Sequence, residues 1–93
     1  MRPVHPGRIL KDEIEARGLS ANALALALRT PSGRITDILN AKRGVSPETA
    51  LRLARYFGVG EQFWMNLQSH YELEVANEAY GRRLDREIKP RAA

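Results

Sequence analysis

Between Leu19 and Arg43 the apolar positions fall three and four residues apart in two short runs, interrupted by Thr30-Pro31-Ser32. Leu24 and Leu28 mark the first run and Ile35 and Ile38 the second, with Ala25 small enough to sit where two helices cross. Such spacing puts each set on one side of a helix, so two short helices joined by a tight turn are predicted. Ser20 is placed to cap the first, because its hydroxyl can accept from an orphan backbone N–H. Pro31 cannot continue that helix but is tolerated in the first turn of the next.

The same periodicity flanks this pair. Pro6 opens a helix to about Arg17 with Ile9, Leu10 and Ile14 as its buried stripe, and Gly18 ends it as a left-handed cap. Ser46, Pro47 and Glu48 open a fourth helix, whose inner side is Ala50, Leu51, Leu53, Ala54 and Phe57 and which Gly58 closes. A fifth is expected from about Glu61 to about Glu78 or Tyr80, carrying Phe63, Trp64, Leu67, Tyr71 and Val75. No β-branched alternation occurs, so the expected fold is all-α, five helices in one domain without substantial sheet. Residues 5–57 form its body, 58–80 the fifth helix, and 81–93 a mobile charged tail; Met1 to Val4 is a loose start.

Rotating the second helix of the central pair separates two sides. Ile35, Ile38 and Leu39 cluster inward, whereas Gly33, Asp37 and Asn40 point away, with Arg34 and Thr36 on the flanks. A polar outer side suits a helix laid in a DNA major groove with its N-terminal residues nearest the base edges. An ordinary amphipathic helix with a solvated side fits the same pattern. Charge adds to the DNA reading. Residues 1–43 hold eight Lys or Arg against four acids, residues 61–80 hold four acids and no base, and residues 81–93 hold five bases against two acids. One side of the molecule is thus suited to phosphate and another to something else.

Other chemistries find little support. There is no cysteine, and His5 and His70 stand apart without a ligand cluster, so neither disulfide, metal nor cofactor is expected. His70 reads as a partly buried helix residue or an interface group. No nucleophile, base or phosphate loop converges on a pocket pattern, which argues against an enzyme and a small-molecule substrate. No apolar run suggests a membrane span or a signal peptide, and a cytoplasmic location is expected. At 93 residues the chain is near the lower limit for a self-sufficient core, which makes a partner subunit the remaining stabilising device.

Roles on DNA follow from side-chain chemistry. Arg34 can reach guanine O6 and N7 with two bonds; Ser32, Thr36 and Asp37 are further base or phosphate contacts, although Asp37 could instead position Arg34 at i,i−3. Ser20, Asn22, Asn40, Lys42 and Arg43 are phosphate candidates, which orient without reading sequence. Two copies on a dyad would read a palindromic operator. The stripe of Phe63, Trp64, Leu67, Tyr71 and Val75 exceeds what a small body covers, and a homodimer through it is expected, complete packing within the monomer being the alternative.

The central segment resembles the helix-turn-helix of the phage-repressor-like XRE family in Leu19-Ser20, Ala25, Ile35 and Ile38. HPGRIL from His5, ITDILNAKRGVSPETALRLARYFG from Ile35 and EQFWMNLQSHYEL from Glu61 resemble HigA-type antitoxins, also called plasmid-maintenance antidotes or virulence-associated protein I. The likeness spans roughly His5 to Ala76, and FWMNLQ is its most specific block. It implies an autorepressor of a toxin–antitoxin operon that also holds a HigB-like, mRNA-cleaving toxin inactive. A toxin-neutralising module with little specific DNA binding, and a repressor without toxin, are the alternatives. Two positions depart from the family. Arg29 stands where glycine is common in the turn, so the turn has another shape or Arg29 carries strain. Gly33 replaces a bulkier polar residue, removing one base contact while letting the backbone approach DNA.

Overall fold

The computed structural model describes residues 2–92, so Met1 of the loose start and Ala93 of the tail lie outside the described residues. Five helices follow one another: α1 (Pro6–Ala16), α2 (Ala21–Leu28), α3 (Ser32–Leu39), α4 (Pro47–Phe57) and α5 (Glu61–Glu87). No strand occurs among the described residues.

Local signals set the helix ends. The Ser20 hydroxyl accepts from the Ala23 N–H at 3.0 Å and Ser46 from the Thr49 N–H at 3.2 Å, each satisfying one orphan donor. The His5 imidazole does the same for α1, its Nδ1 accepting from the Gly7 N–H at 2.9 Å. Its ring also meets Tyr71 of α5 edge-on at 4.8 Å. The chain is therefore fastened from His5 onward, directly after the expected loose start.

Leu10, Ile14, Leu24, Ala25, Leu28, Ile35, Ile38, Val45, Ala50, Leu53 and Trp64 form one buried cluster. Leu51, expected inside α4, is exposed instead, because the inner side of that helix runs through Thr49, Ala50 and Leu53. Gly7 lets α1 cross the end of α3 backbone to backbone: a Cβ there would lie 1.9 Å from the Ile38 carbonyl oxygen.

The fifth helix departs most from expectation. It continues into the segment assigned to a mobile tail and ends at Glu87, so of that segment only the described residues after it are non-helical. Arg83 explains part of this: its guanidinium lies 3.4 Å from Glu87 and 5.1 Å over the Tyr80 ring, pairs at i,i+4 and i−3 that support a helix. At about 1.5 Å rise per residue, the 27 residues of α5 outrun the body. They give the molecule its extents of 52 × 24 × 22 Å.

Candidate nucleic-acid interface

Recognition of DNA by a helix requires one side locked in a core and the other free, and α3 has both. Ile35 and Ile38 are completely buried. On the outward side Ser32, Gly33, Thr36 and Asn40 are exposed and Asp37 is half-buried. Thr36 donates its hydroxyl hydrogen to the Ser32 carbonyl at 3.1 Å, leaving its methyl and lone pairs for a partner. Nothing of the chain lies within 4 Å of where a Gly33 side chain would begin, so that position is open to an approaching surface.

The turn before α3 keeps the left-handed form despite lacking glycine. Arg29 has φ 57° and ψ 46°, and the following Thr30 N–H donates to the Ala25 carbonyl at 3.0 Å. Of the two possibilities open from sequence, the strained arginine is the one adopted; the non-glycine penalty in this region is of order 1 kcal/mol.

Arg34 is held by Glu48 of α4, at 3.2 Å between Nη1 and Oε1. Asp37, one candidate for that role, does not fill it. Its backbone carbonyl instead accepts from the amides of Lys42 and Arg43 at 2.8 and 3.2 Å. These bonds fold the exit of α3 back on itself through Ala41, whose φ of 59° no residue type would have announced. Lys42 and Arg43 are exposed on this turn, as are Ser20 and Asn22 at the start of α2.

Two side chains missed in the sequence pin the loop that carries Lys42 and Arg43. Gln68 of α5, only 9% exposed, accepts from the Val45 N–H at 2.8 Å through Oε1. Gly44 makes room for this amide, since a Cβ there would lie 2.6 Å from it. Losing the Gln68 carbonyl would leave a buried donor unpaired, at about 1–3 kcal/mol. The His5 imidazole approaches the Arg43 backbone from the other side. Burial pushes the His5 pKa below its ordinary value of 6.5, and the Arg43 backbone only partly offsets this. A polar residue at helical register with Trp64 was the available signal for Gln68; His5 stood out only as the first residue of the HPGRIL block, with no sign of its partners.

The residues expected at a dimer face divide. Trp64 is 1% exposed within the single chain and belongs to the core, so its expected place in an interface is corrected. Its side of α5 also carries Leu67, packed against the cluster, and Tyr71, set against His5. Phe63 touches Trp64 edge-on at 5.2 Å but remains 43% exposed. Val75 continues the inner side past the point where the body ends and is 41% exposed. On the opposite side Leu73, Tyr80 and Leu84 recur at spacings of seven and four and are all exposed. Phe63, Asn66, Leu67, Ser69, His70 and Leu73, all on α5, border an open surface between the two sides. His70 is thus an exposed residue rather than a partly buried one, paired with Glu74.

The helix-turn-helix family model matches residues 10–64. Virulence-associated protein I of Dichelobacter nodosus is 47% identical over 79 residues, covering 84% of this chain and 73% of its own length. The chain belongs to the HigA-type helix-turn-helix family. Among solved structures, an addiction module antidote protein of the HigA family from Coxiella burnetii superposes with a TM-score of 0.94 at 43% identity, covering 98% of this chain and 100% of its own. The Pseudomonas aeruginosa antitoxin HigA, solved with higBA promoter, gives a TM-score of 0.95 at 46% identity with the same coverage. This family consists of DNA-binding regulators, not enzymes. Its helix-turn-helix corresponds here to α2, the Arg29 turn and α3.

Proposed function

We propose that this chain is an antitoxin that represses its own operon by binding a palindromic operator as a homodimer, and that it neutralises a HigB-like mRNA-cleaving toxin. The observation that carries the DNA-binding part is the two-sided character of α3. Ile35 and Ile38 are fully enclosed, while Ser32, Gly33 and Thr36 are exposed and Arg34 is partly so. That the similar Pseudomonas aeruginosa HigA was solved with promoter DNA supports the same assignment. The left-handed Arg29 preserves the turn between the two helices, which removes one ground for a module that binds toxin but not DNA.

The homodimer reading rests on the outer side of α5. Leu73, Tyr80 and Leu84, with Phe63 at its start, make an apolar seam that the chain's own body does not cover. Charge favours a second copy in antiparallel orientation. Such pairing would bring Arg82, Arg83 and Arg86 of one helix toward Glu72, Glu74 and Glu78 of the other. For the toxin, the acidic stretch of α5 is the surface that a basic ribonuclease would favour, with α1 and the basic C-terminal residues as alternatives. The proposed setting is the cytoplasm. No helix among the described residues is long and apolar enough to cross a membrane.

Fluorescence anisotropy on the DNA upstream of its own gene, against shuffled DNA across a salt series, tests the operator reading. Specific repressors bind their sites about a thousandfold or more above other DNA. Equal and steeply salt-dependent binding to both would move the assignment to the toxin-neutralising module. Co-expression with the product of the neighbouring reading frame tests the rest: rescue of growth is expected, and no rescue would leave a repressor without toxin.

A further inference from the structure

Resting on the operator-binding reading, we infer that Glu48 is a specificity-determining positioning residue, which sets how Arg34 meets base edges without touching DNA itself. Glu48 lies in the first turn of α4, outside the helix-turn-helix pair. Its Oε1 stands 3.2 Å from Arg34 Nη1 and 3.9 Å from Arg52 Nε. Arg52 in turn donates from Nη1 to the Leu28 carbonyl at the end of α2, at 2.9 Å. A single carboxylate oxygen therefore ties the recognition helix to α4, and through Arg52 to the last turn of α2.

Three physical consequences follow. Arginine reads guanine through a planar fork, so its discrimination depends on the angle at which the fork is presented. Glu48 takes one Nη of Arg34 and leaves the rest of the guanidinium for the base. Second, Glu48 is 62% exposed at its side chain and Arg34 is 32% exposed, so solvent screens the pair and its worth is in orientation more than in fold stability. Third, a carboxylate beside a DNA-facing arginine opposes indiscriminate approach of phosphate. Where Arg34 meets no guanine, it stays neutralised by Glu48 instead of adding to generic attraction. Glu48 thus raises the contrast between right and wrong sites.

The test is a double-mutant cycle on E48Q, R34A and R34A/E48Q. Affinity is measured by anisotropy on a duplex from the region upstream of its gene and on a shuffled duplex of equal composition, with thermal melting as the control for folding. Glu48→Gln keeps the side chain's shape and its melting temperature within a few degrees, binds shuffled DNA as well as wild type or a few-fold better, and lowers the operator-to-shuffled ratio about tenfold. In the Arg34→Ala background the same change leaves that ratio within about twofold. An unchanged ratio in E48Q, or an equal fall in both backgrounds, overturns the inference and leaves operator binding intact. Wild-type protein that fails to distinguish the two duplexes overturns the operator reading, and this inference with it.

Discussion

Both α3 and α5 present a side that the body does not cover, and the two sides are chemically opposite. That of α3 consists of Ser32, Gly33, Thr36, Asp37 and Asn40; that of α5 consists of Phe63, Leu73, Tyr80 and Leu84. A polar side is stable in water on its own and gains by exchanging water for a surface with matching donors and acceptors, as a major groove offers. An apolar side gains only when water leaves, which requires a large, shape-matched partner such as a second copy. On the proposed reading, the difference separates two functions on one small chain: selection of a sequence by α3 and assembly by α5.

The division within α5 can be broken hardest from its inner side. Trp64→Ala empties the largest fully buried side chain and is expected to cost about 3–5 kcal/mol of folding stability. Chemical denaturation of the variant measures this, and a loss below about 1 kcal/mol would mean that α5 is not integral to the core. The paired substitution on the outer side, Leu73→Glu with Leu84→Glu, should leave the melting curve of the monomer nearly unchanged while abolishing self-association. Operator affinity should then fall about a hundredfold or more, because the second half-site is no longer bound intramolecularly. Sedimentation showing an unchanged dimer would remove this side from the interface.

Smaller effects probe the turn after α3. Lys42→Ala should weaken operator and shuffled DNA binding alike and reduce the salt slope by about one unit; a loss confined to the operator would make Lys42 a base reader. His5 supplies a pH dependence. Its lowered pKa means that the unfolded chain takes up a proton more readily than the folded one. Its contribution to stability is therefore full above pH 6.5 and is lost as pH falls from there through the folded value. Melting temperature should decline over that interval, and His5→Asn, which keeps a capping acceptor, should flatten the decline. Identical profiles for the two proteins would exclude His5 as its source.

Much of this was written in periodicity. The four body helices and the start of the fifth follow from three-and-four spacing and from Ser20, Pro6, Ser46 and Pro47, because capping and proline chemistry act within a few residues. The outer side of α3 was legible for the same reason. Long-range features were not. That Trp64 packs inward while Leu73 and Leu84 face out depends on where the body ends, which hydropathy does not encode. Glu48 holding Arg34 spans fourteen positions, and Gln68 holding Val45 spans twenty-three; neither pairing has a local signature. The left-handed Ala41 and the extension of α5 to Glu87 arise from the hydrogen bonds to Asp37 and the pairs of Arg83, again visible only once the backbone is in place.

The proposed operator binding depends above all on sequence reading by α3, which Arg34→Ala on operator and shuffled duplexes tests directly. A loss of about 1–3 kcal/mol on the operator is expected, with relaxed preference at one position per half-site and little change on shuffled DNA. An operator affinity equal to that of the wild type would show that α3 does not read the site through this residue, and the recognition-helix assignment would fall.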